Sequence, residues 1–277
     1  MSITAQSPGH ITGFFVIYPN GSTGAGINIA DGMKTTVSNS LKDSYYLNGK
    51  KTKLIVSKKV VELFRKETKE ETNVSVSHHT KFPIGYGLGI SGAGALSLAI
   101  ALNTLFKTKL GKNEITQIAK RAEIECGTGL GDVIAENYSG LLMGKKPYPS
   151  KSAEQIKCKE KFVVLGFFGP IKTKKIIRSA SWRKKINRIG KWCMGKIAKN
   201  RNMESFIGLC RVFTIESGLA TPKIRRVMEE LDGASMSMLG ETVFVPTNNP
   251  LQVQRTLRKF CKRTMVAKIS TKWAGAL

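Results

Sequence analysis

The glycine-rich segment at residues 83–95, PIGYGLGISGAGA, constrains this chain more than any other stretch. Five of its thirteen residues are glycine, and the apolar run LSLAIALNTLF follows it directly. Glycine permits positive φ angles and lets another group approach the backbone N–H groups closely. The start of a helix offers unpaired N–H donors and a partial positive charge. The segment therefore predicts a cradle for an anion, most often a phosphate, at the N-terminus of a helix.

Length and composition indicate a soluble globular protein. The 277 residues suffice for one large domain or two smaller ones. No apolar run approaches the roughly 18–20 uncharged residues of a membrane-spanning helix, and the N-terminus lacks the pattern of a secretory signal. The five cysteines are scattered without a CxxC pair, which argues against a zinc ribbon or a disulfide framework. We expect a cytoplasmic protein with no membrane partner.

The net charge of +26 is the most unusual bulk property. Residues 151–201 carry 16 Lys and Arg against two acidic residues, and Trp182 and Trp192 lie among them. Such a stretch can form a nucleic-acid surface. It can equally be a solvated basic face, or a field that attracts small anionic substrates. We favour a solvated basic face or a field that attracts small anions, and we do not expect nucleic acid as a partner.

Hydrophobic patterns and turn signals divide the first half into short elements. They predict a strand at residues 11–18, a glycine-rich loop at 19–26 and extended chain after it. The dipeptides Asn20-Gly21 and Asn48-Gly49 are typical of hairpin turns. A helix is expected from about Lys58, a strand at 74–79 and a buried helix at 93–106. Asn113 is expected to cap the next helix, with Glu114 in its first turn.

A boundary is predicted in the segment SGLLMGKKPYPS at residues 139–150 because of its two prolines. We accordingly expect an N-terminal ATP-binding domain at 1–148 and a C-terminal domain at 149–277. The second part begins with the strand pattern KFVVLGFFG and ends with strand, helix and strand patterns. This order favours an α+β fold.

Three familiar motifs fail to account for the glycine-rich segment. Residues 87–92 match GxGxxG, but the next acidic residue, Glu114, lies at a helix start and does not end a second strand. A Walker A loop requires GK followed by Ser or Thr, and this tripeptide does not occur. The GxSxG elbow fails because Ala93 replaces the last glycine, and all three histidines precede it. A phosphate loop of another type and a turn used only for packing stay open.

The segment resembles the ATP-binding motif of the GHMP kinases, Pro-x3-Gly-Leu-Gly-Ser-Ser-Ala. It departs from that motif in having Ile90 for the first serine and Gly92 for the alanine. Pro8-Gly9-His10 resembles the family's N-terminal motif, and residues 233–240, GASMSMLG, resemble its C-terminal glycine-rich motif. The turn GTGLGD ends in Asp132, where many members carry a catalytic aspartate.

Six segments in the same order resemble the archaeal pantoate kinases, a family within the GHMP kinases. They are PGHITGFF, GSTGAGINI, GLGISGAGALS, AEIECGTGLGDVIAE, GPIKTKKI and SMSMLGETVF. The resemblance implies the α+β GHMP kinase fold, with an N-terminal half like domain 2 of ribosomal protein S5 and a ferredoxin-like C-terminal half. ATP and the acceptor are then expected to meet in the cleft between the halves.

The resemblance also implies roles for individual residues. Ser91 is expected to bind Mg²⁺ or the β-phosphate through its hydroxyl. A second oxygen ligand is needed, and Glu123 is preferred to Glu125 because it follows Ala119 by one helical turn and so points inward. The residues expected to hold ATP are Gly85, Gly87, Leu88, Gly89, Ser91, Gly92 and Ala93.

Asp132 is expected to lie beside the acceptor hydroxyl, where a carboxylate can accept the proton or stabilise the developing charge. Its alternative role is that of a helix N-cap. A pantoate pocket needs a cation or N–H donors and an apolar wall. The candidates for it are His10, Ser22, Thr23, Gly24, Lys172 and Thr173. A structural role for His10, as a hydrogen-bonded residue, explains its presence equally well. His78 and His79 are expected to be ordinary loop residues.

The expected reaction is ATP- and Mg²⁺-dependent phosphorylation of the primary hydroxyl of (R)-pantoate, giving 4-phosphopantoate for coenzyme A biosynthesis. One alternative is another GHMP-type kinase of a small alcohol resembling mevalonate or homoserine. A second is a basic nucleic-acid-binding protein on a kinase-like fold. A homodimer is compatible with the resemblance, although the sequence does not decide the oligomeric state.

Overall fold

The computed structural model describes residues 1–147, 153–171, 176 and 179–277. Eight of its strands form one sheet: β1 (Ser2–Tyr18), β2 (Gly21–Asn39), β3 (Ser44–Leu47), β4 (Lys50–Lys51), β5 (Val74–His79), β6 (Leu141–Gly144), β7 (Ala153–Ile156) and β12 (Gly275–Ala276). The helices of this half are α1 (Ile55–Thr68), α2 (Ile90–Phe106), α3 (Lys112–Cys126) and the short α4 (Asp132–Ala135). Strand β5 pairs with β2 on one side and with β3, in parallel, on the other.

A long antiparallel hairpin of β1 and β2 forms the centre of this sheet. Its turn consists of Pro19 and Asn20, because Tyr18 pairs with Gly21; the hairpin predicted from Asn20-Gly21 is therefore confirmed, with Gly21 already in β2. The prediction of a loop at residues 19–26 was wrong beyond that turn, since residues 21–26 are strand. The strands β1 and β2 approach so closely that a Cβ on Gly24 would lie 2.3 Å from the Phe14 carbonyl oxygen. The glycines there allow close strand pairing, and the sequence pattern alone suggested a turn.

Helix α2 is the buried helix that the apolar run predicted, and it packs against β1, β2 and α3. It begins at Ile90, three residues earlier than expected, so the phosphate-loop residues 90–92 already belong to its first turn. The prediction that Asn113 caps α3 was wrong, because the cap is Gly111. The Gly111 N–H donates to Glu114 Oε2 at 2.7 Å, which confirms the place of Glu114 in the first turn.

The second sheet is antiparallel and has the strand order of a ferredoxin-like fold. Its elements are β8 (Phe162–Pro170), α5 (Ala180–Lys199), α6 (Met203–Glu216), α7 (Pro222–Glu230), β9 (Ser235–Ser237), β10 (Gly240–Thr247), α8 (Pro250–Leu257) and β11 (Arg263–Lys268). The order across the sheet is β11-β8-β10-β9, so the first and third strands lie in the middle. Helices fill the connections between β8 and β9 and between β10 and β11 of this antiparallel sheet, which is the arrangement expected of an α+β fold.

The two sheets share a hydrophobic core instead of being joined by a linker alone. Phe14 of β1 packs against Phe206 and Phe213 of α6, with ring centroids 5.9 and 6.4 Å apart. Residues 275–276 return to the first sheet and pair with β1. Strand β6 occupies part of the segment at 139–150 and pairs with β7 beyond it. The domain boundary at 148/149 lies outside the described residues and stays a prediction.

Helix α5 carries much of the positive charge that the composition indicated. It buries Ile186, Gly190, Cys193 and Ile197 and exposes its Lys and Arg side chains, with no acidic residue along its length. A Cβ on Gly190 would lie 2.1 Å from the Phe15 carbonyl oxygen, so the helix rests directly on β1. Among the described residues, no helix combines the length and apolarity that crossing a membrane requires.

Candidate active site

The glycine-rich segment forms the floor of a cleft that both halves of the chain line. Gly89 is the N-cap of α2 and has φ +65°. A Cβ there would lie 2.9 Å from the His10 backbone nitrogen and 3.0 Å from Glu136 Oε1. The His10 N–H donates to the Leu88 carbonyl oxygen at 2.8 Å, which ties the loop to β1. Six of the seven residues predicted to hold ATP line this cleft, namely Gly85, Gly87, Leu88, Gly89, Ser91 and Gly92, while Ala93 lies buried in α2 behind them.

Residues 236–242 support the loop from the opposite side. The Ser237 hydroxyl donates to the Gly87 carbonyl oxygen, and the Thr242 hydroxyl donates to the Tyr86 carbonyl oxygen at 2.8 Å. A Cβ on Gly240 would lie only 2.0 Å from the Tyr86 carbonyl carbon, so no side chain fits at this crossing. The segment that resembled the C-terminal GHMP motif therefore shapes the phosphate loop.

Ser91 and Glu123 form a hydrogen-bonded pair beside the loop. The Ser91 hydroxyl donates to Glu123 Oε1 at 2.6 Å, and the Thr128 hydroxyl donates to the same oxygen at 2.7 Å. Glu123 is only 3% exposed, and this burial raises the pKa of its carboxyl group to about 7 against the lowering effect of the two hydroxyls. Glu125 instead faces solvent, where Lys59 and Arg121 lie within 4 Å.

The fit of this pair to Mg²⁺ rests on its chemistry. Mg²⁺ takes one or two carboxylate ligands together with phosphate oxygens and water, and a Glu carboxylate with an adjacent hydroxyl supplies oxygen donors of that kind. Within the described residues, no group of three or more His, Cys, Asp and Glu side chains converges as a metal site. The pair therefore fits a cation that a bound triphosphate helps to hold.

Asp132 opens α4 at the other end of the cleft. It occupies the first helical position after Gly131, so it is not the N-cap. The Thr12 hydroxyl donates to Asp132 Oδ1 at 3.2 Å. Burial raises the pKa of the Asp132 carboxyl group, while His10 and the Thr12 hydroxyl oppose that shift.

His10 is both a hydrogen-bonded residue and a residue of the site. Asn28 Nδ2 donates to the carbonyl oxygens of Ala135 and Tyr138 at 2.8 and 2.7 Å, which directs Asn28 Oδ1 toward His10. His10 Nδ1 lies 2.7 Å from this oxygen and must therefore carry the proton. Burial lowers the pKa of His10, so the ring is neutral and Nε2 is its hydrogen-bond acceptor.

A smaller pocket adjoins the cleft next to Asp132. Its wall includes His10, Ser22, Thr23 and Gly24, four residues predicted to bind the acceptor, which the hairpin of β1 and β2 brings together. Lys146 also lines it and supplies a cation that the sequence reasoning missed. Lys146 is the second residue after β6 and belongs to no motif that the sequence offers. Lys172 and Thr173 lie outside the described residues.

An apolar pocket lies on the other side of the loop, between Ser91 and the start of α1. Leu54, Ile55 and Val56 contribute to it, together with Ile90. The prediction that His78 and His79 are loop residues was wrong, since both belong to β5. His78 is buried there, with its two ring nitrogens 2.8 Å from Thr35 Oγ1 and 2.9 Å from Ser57 Oγ.

Comparison with known proteins gives consistent results. Residues 55–140 match the family of GHMP kinase N-terminal domains. The chain is 38% identical to a pantoate kinase of Methanocaldococcus jannaschii over 248 residues, which cover 86% of this chain and 90% of the relative. It is 31% identical to a pantoate kinase of Methanospirillum hungatei, covering 87% and 86% of the two chains.

The fold also resembles solved structures. A phosphotransferase related to the coenzyme A biosynthesis pathway superposes with a TM-score of 0.87 at 26% identity, covering 100% of this chain and 99% of the other. The described architecture is thus the α+β fold of the GHMP kinases.

Proposed function

The chain belongs to the pantoate kinase family of the GHMP kinases, and from this premise we propose that it transfers the γ-phosphoryl group of ATP to the primary hydroxyl of (R)-pantoate. The product, 4-phosphopantoate, is a precursor of coenzyme A. The observation that carries the proposal is the composition of one cleft. The phosphate loop, the Ser91–Glu123 pair and Asp132 all line it, which supports a single site for the phosphate donor, the cation and the acceptor.

The loop and the start of α2 supply the donor subsite. Backbone N–H groups at the N-terminus of a buried helix favour an anion, and here they carry the positive end of a 17-residue helix. The apolar pocket formed by Leu54, Ile55 and Val56 lies beside this anion site and suits a purine base. We propose that ATP spans the two, with its triphosphate over Gly87–Gly92.

Ser91 and Glu123 are proposed to hold Mg²⁺ together with the phosphates. Held there, the cation would neutralise negative charge on the triphosphate during phosphoryl transfer. The preference for Glu123 over Glu125 is supported by burial and by the hydrogen bond from Ser91, whereas Glu125 has cationic neighbours at the surface.

Asp132 is proposed to contact the acceptor hydroxyl. A partly buried carboxylate with a raised pKa can accept the proton of that hydroxyl, or orient it and stabilise its developing charge. Neutral His10 presents Nε2 as an acceptor for a second pantoate hydroxyl. The Lys146 ammonium group, on the wall of the same pocket, suits the pantoate carboxylate.

An acceptor screen tests the proposal. ADP release from Mg²⁺ and ATP should appear on addition of (R)-pantoate and not with mevalonate or homoserine. Turnover of mevalonate or homoserine alone would contradict the substrate and leave the kinase class intact. Absence of nucleotide binding would contradict the class and favour the alternative of a basic nucleic-acid-binding protein.

We further propose that the enzyme acts in the cytoplasm, where ATP and small acids of this kind are available. The homodimer stays a prediction. Light scattering after size exclusion measures it directly.

A further inference from the structure

Glu136 is a buried carboxyl group that the proposed reaction does not use. It follows α4, one helical turn after Asp132, and is fully buried at 0% exposure. Among the described residues, neither of its carboxyl oxygens has a hydrogen-bond partner of ordinary geometry. The Ser7 hydroxyl lies near the group, but its own hydrogen bond goes to the Pro8 carbonyl oxygen at 3.3 Å. A native protein rarely leaves such a group without a role.

The carboxyl group lies directly against the inner side of the phosphate loop. A Cβ on Gly89 would be 3.0 Å from Glu136 Oε1, and a Cβ on Gly92 would be 3.2 Å from the same atom. Both glycines thus have space on this side only for their hydrogen atoms. Glu136 occupies the volume that side chains at these two positions would otherwise take.

The surroundings favour an uncharged Glu136. Burial, followed by the negative charges of Asp132 and of Glu123 in α3, raises the pKa of Glu136 well above its ordinary value, and the nearby Ser7 hydroxyl opposes this shift. His10 lies against Gly89 from β1, and burial lowers the pKa of its ring, which disfavours a compensating positive charge there. A triphosphate on the other side of the loop would add further negative charge.

We propose that Glu136 is a positioning residue for the phosphate loop, and that its uncharged side chain supports Gly89 and Gly92 from behind so that the loop amides face the triphosphate. The inference rests on the proposed ATP site and deepens it. The side chain acts here through its size and neutrality, and it touches neither nucleotide nor acceptor.

Size and neutrality can be separated by substitution. Glu136→Gln keeps the shape of the side chain and is always neutral, whereas Glu136→Asp and Glu136→Ala shorten it and leave the loop without support. A displaced loop misplaces the phosphates, and small misplacements have large effects on reaction. We expect Glu136→Gln to bind Mg²⁺–ATP within about twofold of the wild type, and the two shortened variants to lose about tenfold in affinity.

The measurement is calorimetric titration of each full-length variant with Mg²⁺–ATP, combined with KM values for ATP and pantoate. The KM for ATP should rise in the shortened variants while the KM for pantoate stays within twofold. Asn137→Ala is the matched control for destabilisation, since the neighbouring Asn137 is buried and its amide bonds Thr116 and the Val133 carbonyl oxygen. Glu229→Gln, on the exposed face of α7, controls for the loss of a carboxylate.

Three results would overturn the inference: equal ATP affinity in all Glu136 variants, a loss in Glu136→Gln as large as in Glu136→Ala, or equal losses for ATP and pantoate. If Glu136→Ala does not fold, the comparison of Glu136→Gln with Glu136→Asp decides. The wild type is measured first. Failure of the wild type to bind ATP or phosphorylate pantoate would contradict the proposed function, whereas unaltered ATP binding in the variants would contradict this inference alone.

Discussion

Replacing Glu123 by Gln should make the metal-free protein less sensitive to rising pH. Burial raises the pKa of Glu123 from 4.5 to about 7 in the folded protein, so the folded state holds the proton more tightly than the unfolded chain. For a carboxyl group shifted in this direction, stability falls as pH rises from the unfolded pKa through the folded one. Glu123→Gln has no proton to lose there and escapes this fall.

The size of the effect follows from the two pKa values. Between pH 5 and pH 8 the ionisation of one such group removes about 2.5 kcal/mol from the free energy of unfolding. For a chain of this length the same difference corresponds to about 4 °C in Tm. The unpaired amide hydrogens of a buried Gln cost about 1–3 kcal/mol at every pH. The pH dependence of the free energy of unfolding is therefore a better test than its value at any one pH.

Urea unfolding in EDTA at several pH values measures the effect. The wild type should lose about 2.5 kcal/mol relative to Glu123→Gln between pH 5 and pH 8. Glu125→Gln is the matched control, because it removes a carboxylate that lies two residues away and is exposed. Parallel profiles for the wild type and Glu123→Gln would refute the reasoning, since the carboxyl group would then titrate alike in the folded and unfolded chains.

Two further predictions concern the acceptor and the support of the loop. Asp132→Asn should lower kcat by about 100-fold or more while leaving ATP affinity within twofold. The kcat of the wild type should fall as pH drops through the raised pKa of Asp132. A matching loss of ATP affinity in Asp132→Asn would contradict the role at the acceptor. Gly240→Ala should lower the free energy of unfolding by about 1–3 kcal/mol and raise the KM for ATP, because the new Cβ meets the Tyr86 carbonyl carbon at 2.0 Å. Gly208→Ala, where nothing lies within 4 Å, is its control, and thermal unfolding with ATP kinetics compares the two.

Local sequence patterns predicted the elements that a few consecutive residues specify. The apolar run after the phosphate loop predicted α2, and Asn20-Gly21 predicted the turn of the central hairpin, because both are properties of a few consecutive residues. The glycines at 24 and 26 misled the same reasoning. Their small size serves contact with a paired strand, which a local pattern cannot distinguish from a turn.

The candidate site was predictable where a motif or a helical period marked it. Glu123 was chosen by its spacing from Ala119, and the structure places it beside Ser91, although its role as a ligand stays a prediction. Lys146 and Glu136 lay beyond such reasoning. Their positions depend on how distant segments meet, and neither residue type carries a signal of its own.

The contact between residues 236–242 and the phosphate loop has a consequence for how the protein is made. Ser237 and Gly87 are 150 residues apart, so the partner of the loop leaves the ribosome roughly 10–30 s after the loop itself. During that interval the first sheet lacks both the support at Gly87 and the pairing of β1 with β12. We therefore expect that truncated chains ending before residue 237 do not bind ATP, and that the protein gains its ability to bind the nucleotide late in translation.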